Sequence, residues 1–301
     1  MEAGIIGLGR MGMNMGKRLL EGGHQLVAFN RTASKTEELA EYGARACFSL
    51  EEMVANLQPP RIFWLMLPAG EVVETTFENL LPLLAPGDVV VDGGNTFYKE
   101  DLVRSEIGSR SGIRYVDVGT SGGIWGRELG YCLMVGGDLE SFAMIEPLLQ
   151  TLATEQGYLY CGPTGAGHFV KMIHNGIEYG MMQAYAEGFG LLEDSPYSQY
   201  LDYSSICHLW NQGSVIRSWL LEMAERVFSS DARLETIQGY VEDSGEGRWT
   251  VTQAIETGTS IPVLTMALME RFRSRQENSF SDRLLAALRQ EFGGHLVKKV
   301  E

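Results

Sequence analysis

Apolar residues arrive in short blocks along the first half of the chain and at helical spacing along the second. Ala3-Gly4-Ile5-Ile6, Gln25 to Phe29, Arg61 to Leu67, Asp88 to Val91 and Arg114 to Val118 carry few polar interruptions. Blocks of this length, bounded by turn residues, read as strands buried on both faces. Tyr131 to Val135 and Tyr158 to Cys161 read as further strands, with a helix from about Leu139 to Leu152 between them. Helices are also predicted from Met13 to Leu20, closed by Gly22-Gly23, and from Gly70 to Leu84 despite Pro82. Ser49-Leu50-Glu51-Glu52 has the form of a capping box opening a helix to Leu57. Strands alternating with helices predict an α/β fold with a mostly parallel, Rossmann-type sheet.

Strand signals largely stop at Cys161. Gly162-Pro163-Thr164-Gly165-Ala166-Gly167 is a turn, and the pattern beyond it is mostly helical. Loops are expected around Ser195-Pro196, Asp243 to Gly247 and Gly258 to Pro262. The organisation expected is a dinucleotide-binding domain over 1–163 and an all-helical domain over 164–301, with no internal repeat.

The stretch from Phe169 to Tyr179 opens that second part. As a helix it places Lys171, His174, Asn175, Glu178 and Tyr179 at steps of three and four, on one face. Phe169, Val170, Met172, Ile173, Ile177 and Met181 surround that stripe. A helix apolar on most sides is expected to be buried, with its polar stripe turned to an internal cleft where a polar substrate supplies partners. A solvated polar face is the simpler alternative, weakened by the low charge of Gly180 to Leu192.

Gly7-Leu8-Gly9-Arg10-Met11-Gly12 fits G-x-G-x-x-G and has the context the motif requires, strand before and helix after. Its glycines allow a tight turn and close approach to a pyrophosphate, and the helix start offers free N–H groups. The second strand ends in Asn30-Arg31-Thr32, without the acidic residue usual for NAD. Arg31 and Thr32 suit a 2′-phosphate and Asn30 the ribose, so NADP is favoured with NAD possible. Leu67 ends a strand on the cofactor side, before Pro68-Ala69-Gly70. Asn95, in Asp92-Gly93-Gly94-Asn95-Thr96, is placed to hold nicotinamide or substrate, or is simply a turn asparagine. Gly119-Thr120-Ser121-Gly122-Gly123-Ile124-Trp125-Gly126 has four glycines in eight residues and reads as a loop whose bare N–H groups cradle a carboxylate.

Composition narrows the partners. The 301 residues are 45% hydrophobic and 21% charged, as in globular proteins. A formal net charge of −15 argues against nucleic acid and requires a locally basic pocket for any anionic substrate. The four cysteines form no C-x-x-C pair and the five histidines show no ligand spacing, so reduced thiols, a cytoplasmic setting and no metal are expected. No secretory leader and no apolar run of bilayer length is visible, so no membrane partner is expected.

The chain resembles the 6-phosphogluconate dehydrogenases of the β-hydroxyacid dehydrogenase superfamily. The resemblance rests on the glycine motif, Asn30-Arg31-Thr32, Asp92-Gly93-Gly94-Asn95, Ser121-Gly122-Gly123, Met134-Val135-Gly136-Gly137 and Lys171-Met172-Ile173-His174-Asn175-Gly176-Ile177-Glu178-Tyr179. It continues through Gly247-Arg248-Trp249-Thr250 and Phe292-Gly293-Gly294-His295, at the length of the short form with one helical unit. It implies oxidative decarboxylation of 6-phosphogluconate to ribulose 5-phosphate with reduction of NAD(P), a step of gluconate utilisation and the pentose phosphate pathway. It implies Lys171 as general base and Glu178 as general acid. Asn95, Ser121, Gly122, Gly123, His174 and Asn175 are then substrate contacts. Tyr179, Arg271, Arg289 and His295 take the phosphate end, the last two from a partner subunit of a homodimer or a dimer of dimers. One departure stands out: Ser244 and Glu246 occupy the places of a lysine and a threonine in the long members. A 3-hydroxyisobutyrate-type dehydrogenase and a non-catalytic NADP sensor are the other readings. The first has no use for Tyr179, Arg271 and Arg289, and the second predicts damage at Lys171 or Glu178.

Overall fold

Strands with apolar residues at successive positions need cover on both faces, and the first unit of the chain provides it. The computed structural model describes residues 1–298, so the last three residues of the expected helical domain lie outside the described residues. The chain divides into two compact units, Met1–His174 and the part from Asn175 onward. The first unit holds β1 (Glu2–Ile6), β2 (Gln25–Phe29), β3 (Arg45–Cys47), β4 (Ile62–Leu65), β5 (Val89–Asp92), β6 (Arg114–Ser121), β7 (Tyr131–Gly136) and β8 (Ala153–Gly162). They form one sheet in the order β3-β2-β1-β4-β5-β6-β7-β8. The first six run parallel, in the order of a doubly wound dinucleotide fold. β7 runs antiparallel to β6, and β8 parallel to β7.

The helices of this unit are α1 (Arg10–Glu21), α2 (Ala33–Ala40), α3 (Leu50–Ala55), α4 (Glu71–Leu80), α5 (Tyr98–Ser109), α6 (Gly126–Leu129) and α7 (Leu139–Leu152). Alternate strand residues feed two cores. Ile5, Ala28, Trp64, Val91 and Val116 pack with Met15 and Leu19 of α1 and Ile145 and Leu148 of α7. Their neighbours Ile6, Val27, Phe63, Val90 and Tyr115 pack with Met53 of α3 and Phe77 of α4. This alternation is the period of two of a strand buried on both sides.

Three boundaries differ from the sequence reading. β6 continues through Gly119 and Thr120 to Ser121, so the glycine-rich segment is half strand, and its loop starts at Gly122. β8 begins at Ala153 through exposed polar residues, because its pairing with β7 is irregular and one side faces solvent. The helix expected from Gly70 to Leu84 is α4, which ends at Leu80, and Pro82 turns the residues after it into a 3-10 turn, Leu81–Leu83. Ser49 caps α3 as expected, accepting from Glu52 N at 3.1 Å, while the Glu52 carboxylate accepts from Phe48 N at 2.7 Å.

α8 (Ala166–Glu193) starts in the first unit and continues into the second. There follow α9 (Tyr203–Asn211), α10 (Trp219–Ser230), α11 (Glu246–Thr257), α12 (Pro262–Arg273) and α13 (Phe280–Gly293). Among the described residues no strand follows Gly162. The loop expected at Asp243 to Gly247 is longer, 231–245, and stops where α11 begins. Asp231 organises its start, accepting from Glu235 N, Thr236 N and Thr236 Oγ1. Small cores serve this unit: Phe189, Tyr203, Cys207 and Leu221 in one, Tyr179, Ala267 and Leu268 in another. None of the described α13 side chains is buried.

On α8 the burial expected from its apolar content is reversed on one side. Lys171, Asn175 and Tyr179 are buried, while Val170, Ile177 and Met181 are exposed. The polar stripe is the covered face.

Candidate active site

The turn after β1 is shaped by its glycines. Gly7 has φ +93°, and a Cβ there would lie 2.5 Å from the Met66 carbonyl oxygen and 2.7 Å from Leu67 Cδ2. A Cβ on Gly12 would lie 2.0 Å from the Gly7 carbonyl oxygen, so α1 packs straight onto the turn. Gly9 is different: its Cβ would meet nothing within 4 Å. It is the N-cap of α1, offers no side-chain cap, and no acidic residue occupies the first turn. Open space above uncapped N–H groups at the positive end of a helix fits a pyrophosphate. Arg10 and Met11 form that first turn.

Asn30 supports this turn from β2. Its Oδ1 accepts from Leu8 N at 2.9 Å, its Nδ2 donates to the Thr32 carbonyl at 3.2 Å, and its own N–H goes to Thr36 Oγ1 at 3.0 Å. Much of its carboxamide is therefore committed to bracing the loop. Arg31 and Thr32 lie exposed beside it.

At the ends of β5 and β6 the chain gathers a set of side chains around the start of α8. Asn95 Oδ1 accepts from Thr120 N at 3.4 Å. His174 joins Lys171 to Ser121: Lys171 Nζ lies 3.5 Å from His174 Nδ1, and Ser121 Oγ 3.5 Å from His174 Nε2. Lys171 is 4% exposed. α8 approaches β6 this closely because residue 119 is glycine; a Cβ there would fall 2.3 Å from Lys171 Cβ. Gly122 and Gly123 take φ +131° and +55° as the chain leaves β6. Both values suit glycine.

Beneath this lies a charged network that the sequence reading missed. Asp117 accepts from Gly165 N at 2.6 Å and His168 N at 2.8 Å, capping α8. His168 Nδ1 meets Asp101 Oδ2 at 2.7 Å. Asp92 accepts from Gly94 N at 3.0 Å and Thr96 Oγ1 at 2.6 Å, which ties down the Asn95 loop. Arg104, fully buried, reaches Asp92 at 3.4 Å and Asp101 at 3.6 Å. Burial alone would lower His168, but the Asp101 carboxylate reverses this and raises it to about 10. Burial raises Asp101 to about 6 against the pull of His168. Asp92, Asp101 and His168 bring ligand-type atoms within 4.8 Å of one another. The positive charge a metal would bring there is already supplied by Arg104, which reaches both carboxylates. The one sequence signal for His168 was its place three residues before Lys171.

The second unit carries the rest of the α8 stripe. Asn175 Nδ2 donates to Glu246 Oε1 at 2.9 Å, and Ser244 N donates to the Tyr179 phenol at 3.2 Å. The Arg271 guanidinium stacks on the Tyr179 ring, 3.5 Å from its centroid, and donates to the Glu242 carbonyl at 2.9 Å. Arg248 and Arg275 both bind Asp243, holding its carboxyl down to about 2. Glu178 lies partly exposed on α8, seven residues after Lys171. Arg289 and His295 are exposed, on α13 and just beyond it.

A dinucleotide-type sheet leading into a helix whose covered face starts with a buried lysine and its histidine is the arrangement of a nicotinamide-dependent hydroxyacid dehydrogenase. The comparisons with known proteins narrow this class. Residues 2–162 match the NAD binding domain of 6-phosphogluconate dehydrogenase, and residues 167–293 match the C-terminal domain of the same enzyme. The chain belongs to the 6-phosphogluconate dehydrogenase family. It is 47% identical to Bacillus subtilis YqeC, provisionally named a 6-phosphogluconate dehydrogenase, over 99% of this chain and 100% of that one. It is 43% identical to an NAD(+)-dependent, decarboxylating 6-phosphogluconate dehydrogenase of Haloferax volcanii, over 99% of each. It superposes on the Plasmodium falciparum 6-phosphogluconate dehydrogenase, studied with NADP+ and with 6-phosphogluconate, with a TM-score of 0.83 at 28% identity. That match covers 100% of this chain and 67% of the other.

Proposed function

We propose that this protein oxidises and decarboxylates 6-phosphogluconate to ribulose 5-phosphate and carbon dioxide, reducing NADP, or NAD in its place. The observation that carries the reading is the buried Lys171 on α8, linked through His174 to Ser121. Residues 1–163 serve the cofactor and 164–301 the substrate, in keeping with family matches that meet between 162 and 167. The glycine turn, with Leu67 against Gly7, receives the dinucleotide together with Asn95, and Arg31 receives a 2′-phosphate where one is present. The bound nicotinamide supplies the hydride acceptor.

Lys171 takes the proton of the substrate hydroxyl as the carbon is oxidised. The protonated lysine then polarises the new carbonyl, so that the β-keto acid can lose carbon dioxide. Glu178 delivers a proton to carbon of the resulting enediol. Lys171 and Glu178 are seven residues apart on one helix, about 10 Å of rise, room for a substrate lying along it. Ser121, Gly122, Gly123, His174 and Asn175 hold the sugar acid, and Tyr179 with Arg271 takes its phosphate.

The protein acts in the cytoplasm as a homodimer, itself able to pair. α13 supports the dimer, because Phe280, Leu284, Leu288 and Phe292 leave an apolar stripe exposed on it. Arg289 and His295, on and after that helix, complete the partner's phosphate end. No helix among the described residues is long and apolar enough to cross a membrane.

The test is nicotinamide reduction followed at 340 nm with 6-phosphogluconate, gluconate and 3-hydroxyisobutyrate, each against NADP and NAD. Turnover with 6-phosphogluconate and release of carbon dioxide are expected. Turnover with 3-hydroxyisobutyrate alone would overturn the reading.

A further inference from the structure

Glu246, at the start of α11, is 5% exposed, and both its carboxylate oxygens are engaged. Oε1 accepts from Asn175 Nδ2 at 2.9 Å, and Oε2 accepts from Ser244 Oγ. Ser244 Oγ in turn lies 3.2 Å from the Tyr179 phenol. Thr250 Oγ1 donates to the Glu246 carbonyl at 2.9 Å. Two glycines permit this packing. A Cβ on Gly176 would fall 2.8 Å from Thr250 Cγ2, and one on Gly247 would fall 2.5 Å from Tyr179 Cε2. The first turn of α11 is thus pressed against Asn175 and Tyr179.

A carboxylate only accepts hydrogen bonds. Glu246 therefore dictates which end of the Asn175 carboxamide faces it: Nδ2 toward α11, Oδ1 away. A hydroxyl in this place would donate or accept and leave both orientations available. Turning the carboxamide over would set a carbonyl oxygen against a buried carboxylate, two acceptors with no proton between them.

We infer that Glu246 is a positioning residue for substrate recognition, locking Asn175 so that its Oδ1 is presented as an acceptor to a donating hydroxyl of a polyhydroxylated acid. The inference rests on the proposed role of Asn175 as a substrate contact. Glu246 transfers no proton; it acts through Asn175.

The experiment is a double-mutant cycle of Glu246→Gln and Asn175→Ala, read by kcat and KM for 6-phosphogluconate. Alongside it, the side-chain amide resonance of Asn175 is followed in the substrate-free protein. A glutamine can accept or donate, so Glu246→Gln removes the lock while keeping shape. It is expected to lower kcat/KM roughly tenfold, mostly through KM, when Asn175 is present, and less than about twofold in the Asn175→Ala background. The Asn175 amide resonance is expected to shift and to lose protection from exchange. Equal losses in the two backgrounds, or an unmoved Asn175 resonance, would overturn the inference. If the wild-type protein does not turn over 6-phosphogluconate, the functional proposal fails, and the resonance alone decides on Glu246. Should Glu246→Gln not fold, Glu246→Asp takes its place in the cycle: one methylene shorter, its carboxylate withdraws from Asn175 Nδ2, now 2.9 Å from Glu246 Oε1, and the same coupling is expected.

Discussion

Gly119→Ala tests whether the contact between β6 and α8 sets the position of Lys171. The added Cβ would lie 2.3 Å from Lys171 Cβ and 2.9 Å from the Gly167 carbonyl oxygen. Ordinary contact starts near 3.4 Å, so α8 must retreat by at least 3.4 − 2.3 = 1.1 Å, since neither atom belongs to the far end of a flexible side chain. Overpacking of this kind costs about 1–3 kcal/mol. In a chain of this size that is a fall in Tm of about 2–10 °C. A displacement of about 1 Å in a reacting group costs roughly a hundredfold in rate, or about 2.7 kcal/mol of barrier. The expected outcome is a folded variant with kcat near 1% of wild type and cofactor KM little changed. Gly108→Ala is the control, because its Cβ would come no nearer than 3.4 Å to a neighbour. It should leave kcat alone. Thermal melts and steady-state rates with 6-phosphogluconate make the comparison. A Gly119→Ala variant with kcat within about threefold of wild type would refute the positional role of this contact.

At the other end, Gly9→Ala should leave Tm unchanged or slightly raised, because φ is −66° and its Cβ meets nothing. Cofactor KM should rise tenfold or more, while Gly12→Ala, 2.0 Å from the Gly7 carbonyl, should compromise folding instead. Asp243 is held down to about 2, from 3.8, by Arg248 and then Arg275. A depressed carboxyl adds stability that is full above about pH 4 and lost as pH falls through 2. Asp243→Asn should therefore lower Tm at pH 6 and flatten its fall between pH 4 and 2, as melts across that range will report. Lys171→Met and Arg289→Ala proteins, each poorly active, should regain activity when mixed under conditions that exchange subunits. No recovery despite demonstrated exchange would place Arg289 outside the partner's site.

The sheet was legible where its strands are buried on both sides. Gln25–Phe29 and the helix Leu139–Leu152 lie where the apolar pattern put them. The pattern was silent where burial is partial. β3 is three residues, Arg45–Cys47, at the sheet edge, and only Cys47 is buried. α2 buries only Thr36 and Leu39 of its eight residues, too few to mark a face. β8 runs five residues further back than its apolar part, because Thr154, Glu155 and Gln156 need no cover. By composition alone the segment from Gly119 to Gly126 is a loop able to cradle an anion. The structural reason for Gly119, the nearness of Lys171, involves a residue 52 positions away and leaves no local trace.

The stripe from Lys171 to Tyr179 shows how far spacing alone reaches. Steps of three and four identify a face, and a face of five polar groups demands partners. Spacing does not say who they are. His174 finds Ser121 at the end of β6, 53 residues earlier, and Asn175 finds Glu246, 71 residues later. Nor does it say which side is covered: of the apolar residues, Val170, Ile177 and Met181 are exposed while Met172 is buried. The buried polar stripe has its partners within the chain, but an exposed apolar one beside it is costly for a single chain in water. That cost falls if a second copy of the chain covers the apolar stripe, while a polar substrate binding to the other adds the free energy of its own binding. On this reasoning, substrate and subunit association should stabilise the same helix, and Tm should rise with 6-phosphogluconate and, separately, with protein concentration.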